Sequence, residues 1–247
     1  PVETAKLWVK DTRYLQLGVA LRGADFCSPP SHFSGVLCER AFGLATQQVV
    51  PVHNGVPHEF LDYHWQPSKQ PRPLLFFGRF AQDKGIDTLV DALGRLGEDA
   101  PECLLVGRGP LQPQVEAAAA ESNGKIKVRA WADHHTLGHL LTQSAMAVIP
   151  SREENFSLAV LSVMAVGTPL ITTRVGGTAE VVKHEENGLL IEADDPVRLA
   201  ESIARYCNNP TEASNFGTKA SALVRSDFTW DVAAQRFTKL YAQTLAS

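Results

Sequence analysis

Three short stretches of this sequence combine residue types that could hold a phosphorylated ligand. The first is Gly78-Arg79, followed by Lys84-Gly85. Cations placed where a strand gives way to a helix sit beside free N–H groups and the positive end of the helix dipole. Arg can grip two phosphate oxygens through its fork, and Lys adds a point charge. The second stretch is Ser151-Arg-Glu-Glu-Asn-Phe-Ser-Leu158. Asn155 or Ser157 could cap a helix there, and the amides of Phe156, Ser157 and Leu158 would then point into a crevice. Glu154 could accept hydrogen bonds from hydroxyls, although acidic residues at such positions also simply complement a helix dipole. The third stretch is Val175-Gly176-Gly177, then Glu180, then Asn187-Gly188. Glycines after a strand let backbone approach a ligand closely, but they also make ordinary turns.

These stretches follow a regular alternation of elements. Strands are expected at 73–78, 103–106, 126–130, 145–149, 169–173 and 188–191, each short and, apart from 126–130, largely apolar. Helices are expected at 86–96, 111–121, 137–143, 156–166, 196–207, 210–225 and 230–245, with a helical turn at 178–183. Ile86, Leu89, Val90, Leu93 and Leu96 keep the helical spacing, and Gly167 ends the apolar helix before it. Strands without polar alternation between amphipathic helices specify a parallel sheet covered on both faces, a Rossmann-like doubly wound α/β fold. Ligands of such sheets bind at the carboxyl ends of the strands. Gly78-Arg79, Gly107-Arg108-Gly109, Trp131, Ser151 to Asn155 and Gly176-Gly177 all fall there.

Composition removes several classes. Across 247 residues, 23 Lys and Arg stand against 27 Asp and Glu, for a net charge of −4, so no basic footprint for nucleic acid exists. The longest apolar stretch, 158–171, is interrupted by Ser162, Gly167, Thr168 and Pro169, which argues against a membrane span. Cys27, Cys38, Cys103 and Cys207 are scattered, which suits reduced thiols of a cytoplasmic protein, at most peripheral to a membrane. His135 and His139 are spaced to share a helix face beside His134, but no carboxylate or cysteine completes a metal set nearby. No metal ligand and no cofactor is expected. In the first part of the chain, helices are expected at 15–22 and 34–42 and strands at 24–27 and 49–52, the latter closed by the turn signal Asn54-Gly55. The stretch 63–72, with two prolines, reads as a linker.

Together the motifs carry a resemblance. In order along the chain, Asn54-Gly55-Val56, Gly78-Arg79…Lys84-Gly85, Gly107-Arg-Gly109, Pro150-Ser151…Glu154, Val160 to Pro169, Gly176-Gly177…Glu180 and Asn187-Gly188 resemble the retaining GT-B glycosyltransferases of the large family 4 type, glycosyl transferases group 1. The resemblance implies that Arg79 and Lys84 hold and stabilise a departing diphosphate and that Glu154 contacts the donor sugar, so that these three are the catalytic candidates. It implies a substrate-binding surface of Gly78, Gly107, Gly109, Trp131, Asn155, Phe156, Ser157, Leu158 and Ser162, with the nucleotide base at the backbone of 128–131. The donor would be a UDP- or GDP-sugar, held without a metal because the sequence has no D-x-D. The acceptor is unknown. Ser162 departs from the pattern, since the family has a second glutamate eight positions after the one matching Glu154, at the ribose. The resemblance also implies that 1–62 matches only the last unit of an acceptor-side first domain. The nucleotide-sugar domain would then be 73–229, and the helix at 230–247 would pack back toward the first domain, which is otherwise missing or supplied by a partner subunit. The leading reading is thus a retaining hexosyltransferase half, and the alternative is a non-catalytic nucleotide-sugar-binding or partner-binding subunit. A dinucleotide oxidoreductase is disfavoured, because no G-x-G-x-x-G follows the first strand.

Overall fold

The computed structural model describes residues 12–245. Six strands, β1 (Leu74–Phe77), β2 (Cys103–Val106), β3 (Ile126–Arg129), β4 (Met146–Ile149), β5 (Leu170–Thr173) and β6 (Leu189–Ile191), form one sheet. Every pairing is parallel, in the order β3-β2-β1-β4-β5-β6. The helices are α1 (Thr12–Arg22), α2 (His32–Phe42), α3 (Ile86–Leu96), α4 (Gln112–Glu121), α5 (His134–Thr142), α6 (Leu158–Val166), α7 (Thr178–Val181), α8 (Pro196–Asn208), α9 (Pro210–Asp227) and α10 (Trp230–Leu245).

Apolar residues on both sides of every strand except β3, which packs Ile126 and Val128 on one face and exposes Lys127 and Arg129 on the other, divide into two cores. Leu74, Phe76, Cys103, Leu105, Met146, Val148 and Ile171 join residues of α3, α4 and α8 on one face. Leu75, Val106, Ala147, Ile149, Leu170 and Leu190 join residues of α5, α6 and α9 on the other. This is the doubly wound arrangement expected from the strand composition. Helix α6 is buried nearly all round, which explains a sequence apolar on every face. It meets α9 where Gly217 lies against the carbonyl of Gly167, a contact too close for any Cβ.

Several expected boundaries move for identifiable reasons. Helix α5 starts three residues early because the Asp133 carboxylate accepts the Thr136 amide at 2.7 Å. Helix α6 starts at Leu158, with Ser157 as its cap, instead of at Phe156. The expected strands at 24–27 and 49–52 reduce to a single parallel bridge between Cys27 and Val49. Pro29, Pro30 and Pro51 lack the N–H groups that would extend that pairing. Asn54-Gly55 forms no turn. Gly55 instead lets the backbone of Thr229-Trp230 pass where a Cβ would sit, and Val56 bridges Thr229.

The first part of the chain is fastened to the sheet domain. The Trp65 amide donates to Val166 O at 2.8 Å and its indole to Ser144 O at 2.7 Å. Tyr63 packs edge-on against His135 and His139, so these histidines stack on aromatic rings. Near the end of the chain, the Tyr241 ring lies 5.7 Å from that of Phe26. Residues 1–11 and 246–247 of the two terminal segments lie outside the described residues. Within the described residues no helix is long and apolar enough to cross a membrane.

Candidate functional site

The strand order reverses between β1 and β4, and the chain leaves these neighbours toward opposite edges of the sheet. Their ladder holds Leu74–Met146 and Leu75–Ala147, whereas β1–β2 continues to Phe77–Val106. A crevice of about 190 Å³ opens at the carboxyl ends, lined by Gly78, Lys84, Ser151, Glu154, Ser157, Leu158 and Ala159 among others. Beside it, sharing Phe77 and Gly78, lies a second of about 360 Å³ lined by Arg79, Gly107, Arg108, Ala130, Trp131 and Leu137. The two adjoin at Phe77 and Gly78, and together this furrow runs from residues after β3 to the start of α6.

Charge in the furrow is already arranged. Lys84 Nζ donates to Glu154 Oε1 at 2.8 Å, with Asp83 at 4.0 Å. Ser151 Oγ donates to the same Glu154 oxygen at 2.9 Å. An ammonium has three donors and a carboxylate several acceptor sites. Lys84 thus keeps N–H groups for a ligand, and Glu154 Oε2 makes no hydrogen bond among the described residues. Arg79, its side chain 61% exposed, pairs with Asp83 at 2.8 Å.

The loop bearing Lys84 is held by Arg152. Its Nη1 and Nη2 grip Asp87 at 2.7 and 2.9 Å, and Nη2 reaches Thr88 Oγ1 at 3.1 Å. Nη1 also donates to Gln82 O and Nε to Asp194. All five guanidinium donors are engaged. The Arg152 amide adds a bond to Asp83 O at 2.9 Å. Burial would raise the Asp87 carboxyl, but the Arg152 fork and charge and the nearby amides hold it below its ordinary value. Neither Arg152 nor Asp83 stands out in the sequence, because charged loop residues are common and their partners lie elsewhere.

The glycine loop packs on the site from behind. Gly176 has φ +54° and lies against the carbonyl of Glu154, and the Gly177 amide donates to Asn155 O at 3.1 Å. Ser31, the cap of α2, donates to that same carbonyl at 2.8 Å. One turn on, Glu180 accepts the amides of His32 at 3.0 Å and Phe33 at 2.9 Å, and His53 Nε2 at 2.7 Å. Burial opposes ionisation of Glu180, but the Phe33 amide, His53 and the His32 amide outweigh it and keep the carboxyl below its usual range.

The furrow thus gathers Gly78, Arg79, Lys84, Gly107, Trp131, Glu154, Ser157 and Leu158 from the sequence-derived set. Trp131 is 68% exposed at its edge. Others sit apart. Gly109 packs against the backbone of Phe80, and the Asn155 carbonyl accepts from Gly177 and Ser31, while Asn155 lies outside the lining of both crevices. Phe156 is buried against His53 and Phe228. Ser162 is 3% exposed, donates to Leu158 O at 2.9 Å and does not line the crevice.

A doubly wound Rossmann-like sheet is the architecture shared with GT-B glycosyltransferases of known structure. Sucrose-phosphate synthase from Thermosynechococcus elongatus superposes with a TM-score of 0.81 at 27% identity, covering 95% of this chain and 62% of that one. Anabaena HepE in complex with UDP gives 0.81 at 19% identity, covering 91% and 65%. Glycogen synthase of Mycobacterium tuberculosis is 29% identical over 205 residues, which is 81% of this chain and 50% of that protein. Residues 71–209 match the glycosyl transferases group 1 family, and the chain belongs to it. It spans about half the length of the curated relatives it matches.

Proposed function

We propose that this chain supplies the donor half of a retaining glycosyltransferase that uses a UDP- or GDP-sugar. The observation that carries the reading is the Lys84–Glu154 pair in the crevice, a cation and a carboxylate with unused hydrogen-bonding capacity side by side. Lys84, joined by Arg79 swinging from Asp83, stabilises the departing diphosphate. Glu154 Oε2 accepts a sugar hydroxyl, which orients the anomeric carbon. The base lies along 128–131, beside Trp131. Charge developing on the leaving group is met by Lys84 and Arg79, the electrostatic stabilisation that such a reaction needs. Transfer on the same face as departure retains configuration. HepE, which shares the fold, is seen in complex with UDP, and this supports the choice of a nucleotide.

The same reading treats 1–62 as the tail of an acceptor-side domain, 63–72 as the connection, 73–229 as the donor domain and the helix of 230–247 as a tie between them. The Phe26–Tyr241 and Val56–Thr229 contacts support that division. A cytoplasmic location fits a nucleotide-sugar donor. Calorimetry with UDP and GDP in EDTA tests the core of the proposal. Binding should be metal-independent and should weaken by about 2–5 kcal/mol in Arg79→Ala plus Lys84→Ala, which removes two charge-assisted contacts. Unchanged binding by the double variant would remove the diphosphate site.

A further inference from the structure

His32, His53 and Glu180 stand 21 and 127 positions apart in sequence, yet one ring nitrogen of each histidine and a carboxylate oxygen lie within 4.8 Å of one another. Among the described residues this is the one group of three such side chains. We infer that it is a binding site for a Zn²⁺-class divalent ion, separate from the donor furrow and independent of the proposed transferase reading.

The donor set is the first argument. Two imidazoles and one carboxylate form a three-ligand set that zinc takes with a fourth position left to water. Tetrahedral bonds of about 2.0–2.1 Å separate ligand atoms by roughly 3.3 Å. The His53 Nε2–Glu180 Oε2 distance of 2.7 Å and the 4.8 Å outer limit bracket that figure, so shifts on the scale of an ångström complete the geometry.

Preorganisation is the second argument. Glu180 is oriented by the two amides of His32 and Phe33, the kind of support that ligating carboxylates require. The His53 ring is wedged against Phe156 at 4.9 Å and Phe228 at 5.3 Å, which fixes its plane. The backbone of His32 is tied to Glu180 by its own amide, so only its side chain has to move. That ring is exposed, makes no hydrogen bond among the described residues, and stands edge-on to His53 at 5.7 Å. An ordinary ion pair accounts for His53 with Glu180 but gives the second imidazole no role. On binding, His53 adopts the Nδ1–H tautomer and presents the Nε2 lone pair, and water fills the open position beside His32. The ion would clamp the first turn of α2 and the His53 loop onto α7.

The test uses tag-free protein, without nucleotide, titrated with Zn²⁺ against a chromophoric chelator. Co²⁺ serves as the spectroscopic probe. One equivalent of Zn²⁺ should bind, Co²⁺ should give the intense visible bands of four-coordination, and Zn²⁺ should raise the melting temperature. His32→Ala removes an exposed ligand without touching the core. It should weaken binding at least about tenfold, the scale on which even supporting residues of metal sites act, and abolish the thermal shift. The paired change His135→Ala plus His139→Ala should leave the affinity unaltered. Absence of one-equivalent uptake, affinity indifferent to His32→Ala, or loss of binding in the His135/His139 variant instead would each overturn the assignment.

Discussion

Replacing Arg152 tests whether one side chain that touches no ligand holds the candidate site together. The guanidinium is 24% exposed, and its partners Asp87 and Asp194 are 44% and 61% exposed. The contact to Asp194 therefore counts for little, as exposed ion pairs do. The grip on Asp87 is bidentate, and the bond to Thr88 Oγ1 is part-buried, so these contacts count for more. At about 0.5–1.5 kcal/mol per bond and with a discount for exposure, Arg152→Ala should cost about 2–3 kcal/mol. For a chain of this size that is a fall of roughly 5–10 °C in Tm. Arg152→Lys keeps the charge but not the planar fork, and should recover less than half of the loss. Because Asp87 is held below its ordinary 3.8, the stabilisation is complete above that pH and disappears as pH falls through the lower folded value. The gap between wild type and Arg152→Ala should accordingly stay constant from neutrality to about pH 4 and narrow below it, the bonds to Gln82 O and Thr88 Oγ1 being unaffected by pH. Release of the Lys84 loop should also weaken UDP binding by about 0.5–1.5 kcal/mol, the cost of re-ordering it. Differential scanning calorimetry and titration calorimetry read both effects. A Tm within 2 °C of wild type together with unchanged UDP affinity would refute the claim that Arg152 couples the two loops.

Three further substitutions probe separate parts of the furrow. Ser162→Glu puts a carboxylate where the side chain is 3% exposed, so stability should fall by about 2–4 kcal/mol with no gain in nucleotide affinity; tighter UDP binding would instead show that α6 presents this position to the ribose. Gly176→Ala forces a Cβ into the Glu154 carbonyl at φ +54°, and urea unfolding should show a loss of about 2–4 kcal/mol. A loss below 1 kcal/mol would mean the loop yields easily. Trp131→Ala should leave Tm unchanged, since the ring is 68% exposed, but weaken UDP binding by about 1–3 kcal/mol if the base stacks there; equal affinity would exclude the ring from the base site.

The sheet was legible because continuous apolar runs such as Met146–Ile149 admit few other fates, and each found cover on both faces. Gly78, Lys84 and Glu154 were legible because all three follow strands that the doubly wound order brings side by side. The start of α6 was not, because the competition is tertiary. Phe156 is drawn to His53 and Phe228, and the Asn155 carbonyl to Gly177 and Ser31, which holds both residues outside the helix. The role of Arg152 was hidden for a related reason, since Asp87 and Asp194 lie 65 and 42 positions away. Periodicity reports which face of an element is buried. It carries no signal for a loop cation whose partners are assembled only by the fold.

Glu180 caps amides that precede it by 148 and 147 residues, and the ribosome makes the chain from the other end. At about 5–20 residues per second, roughly 7–30 s pass between synthesis of His32 and arrival of the carboxylate that secures its amide. During that interval the first turn of α2 relies on Ser31 alone, and Phe33, Val36 and Leu37, exposed even in the folded chain, have no wall to rest against. A nascent chain paused before residue 180 should therefore be a good chaperone client and easily clipped within 24–56. A helix translated well before its capping carboxylate is among the last to be fastened.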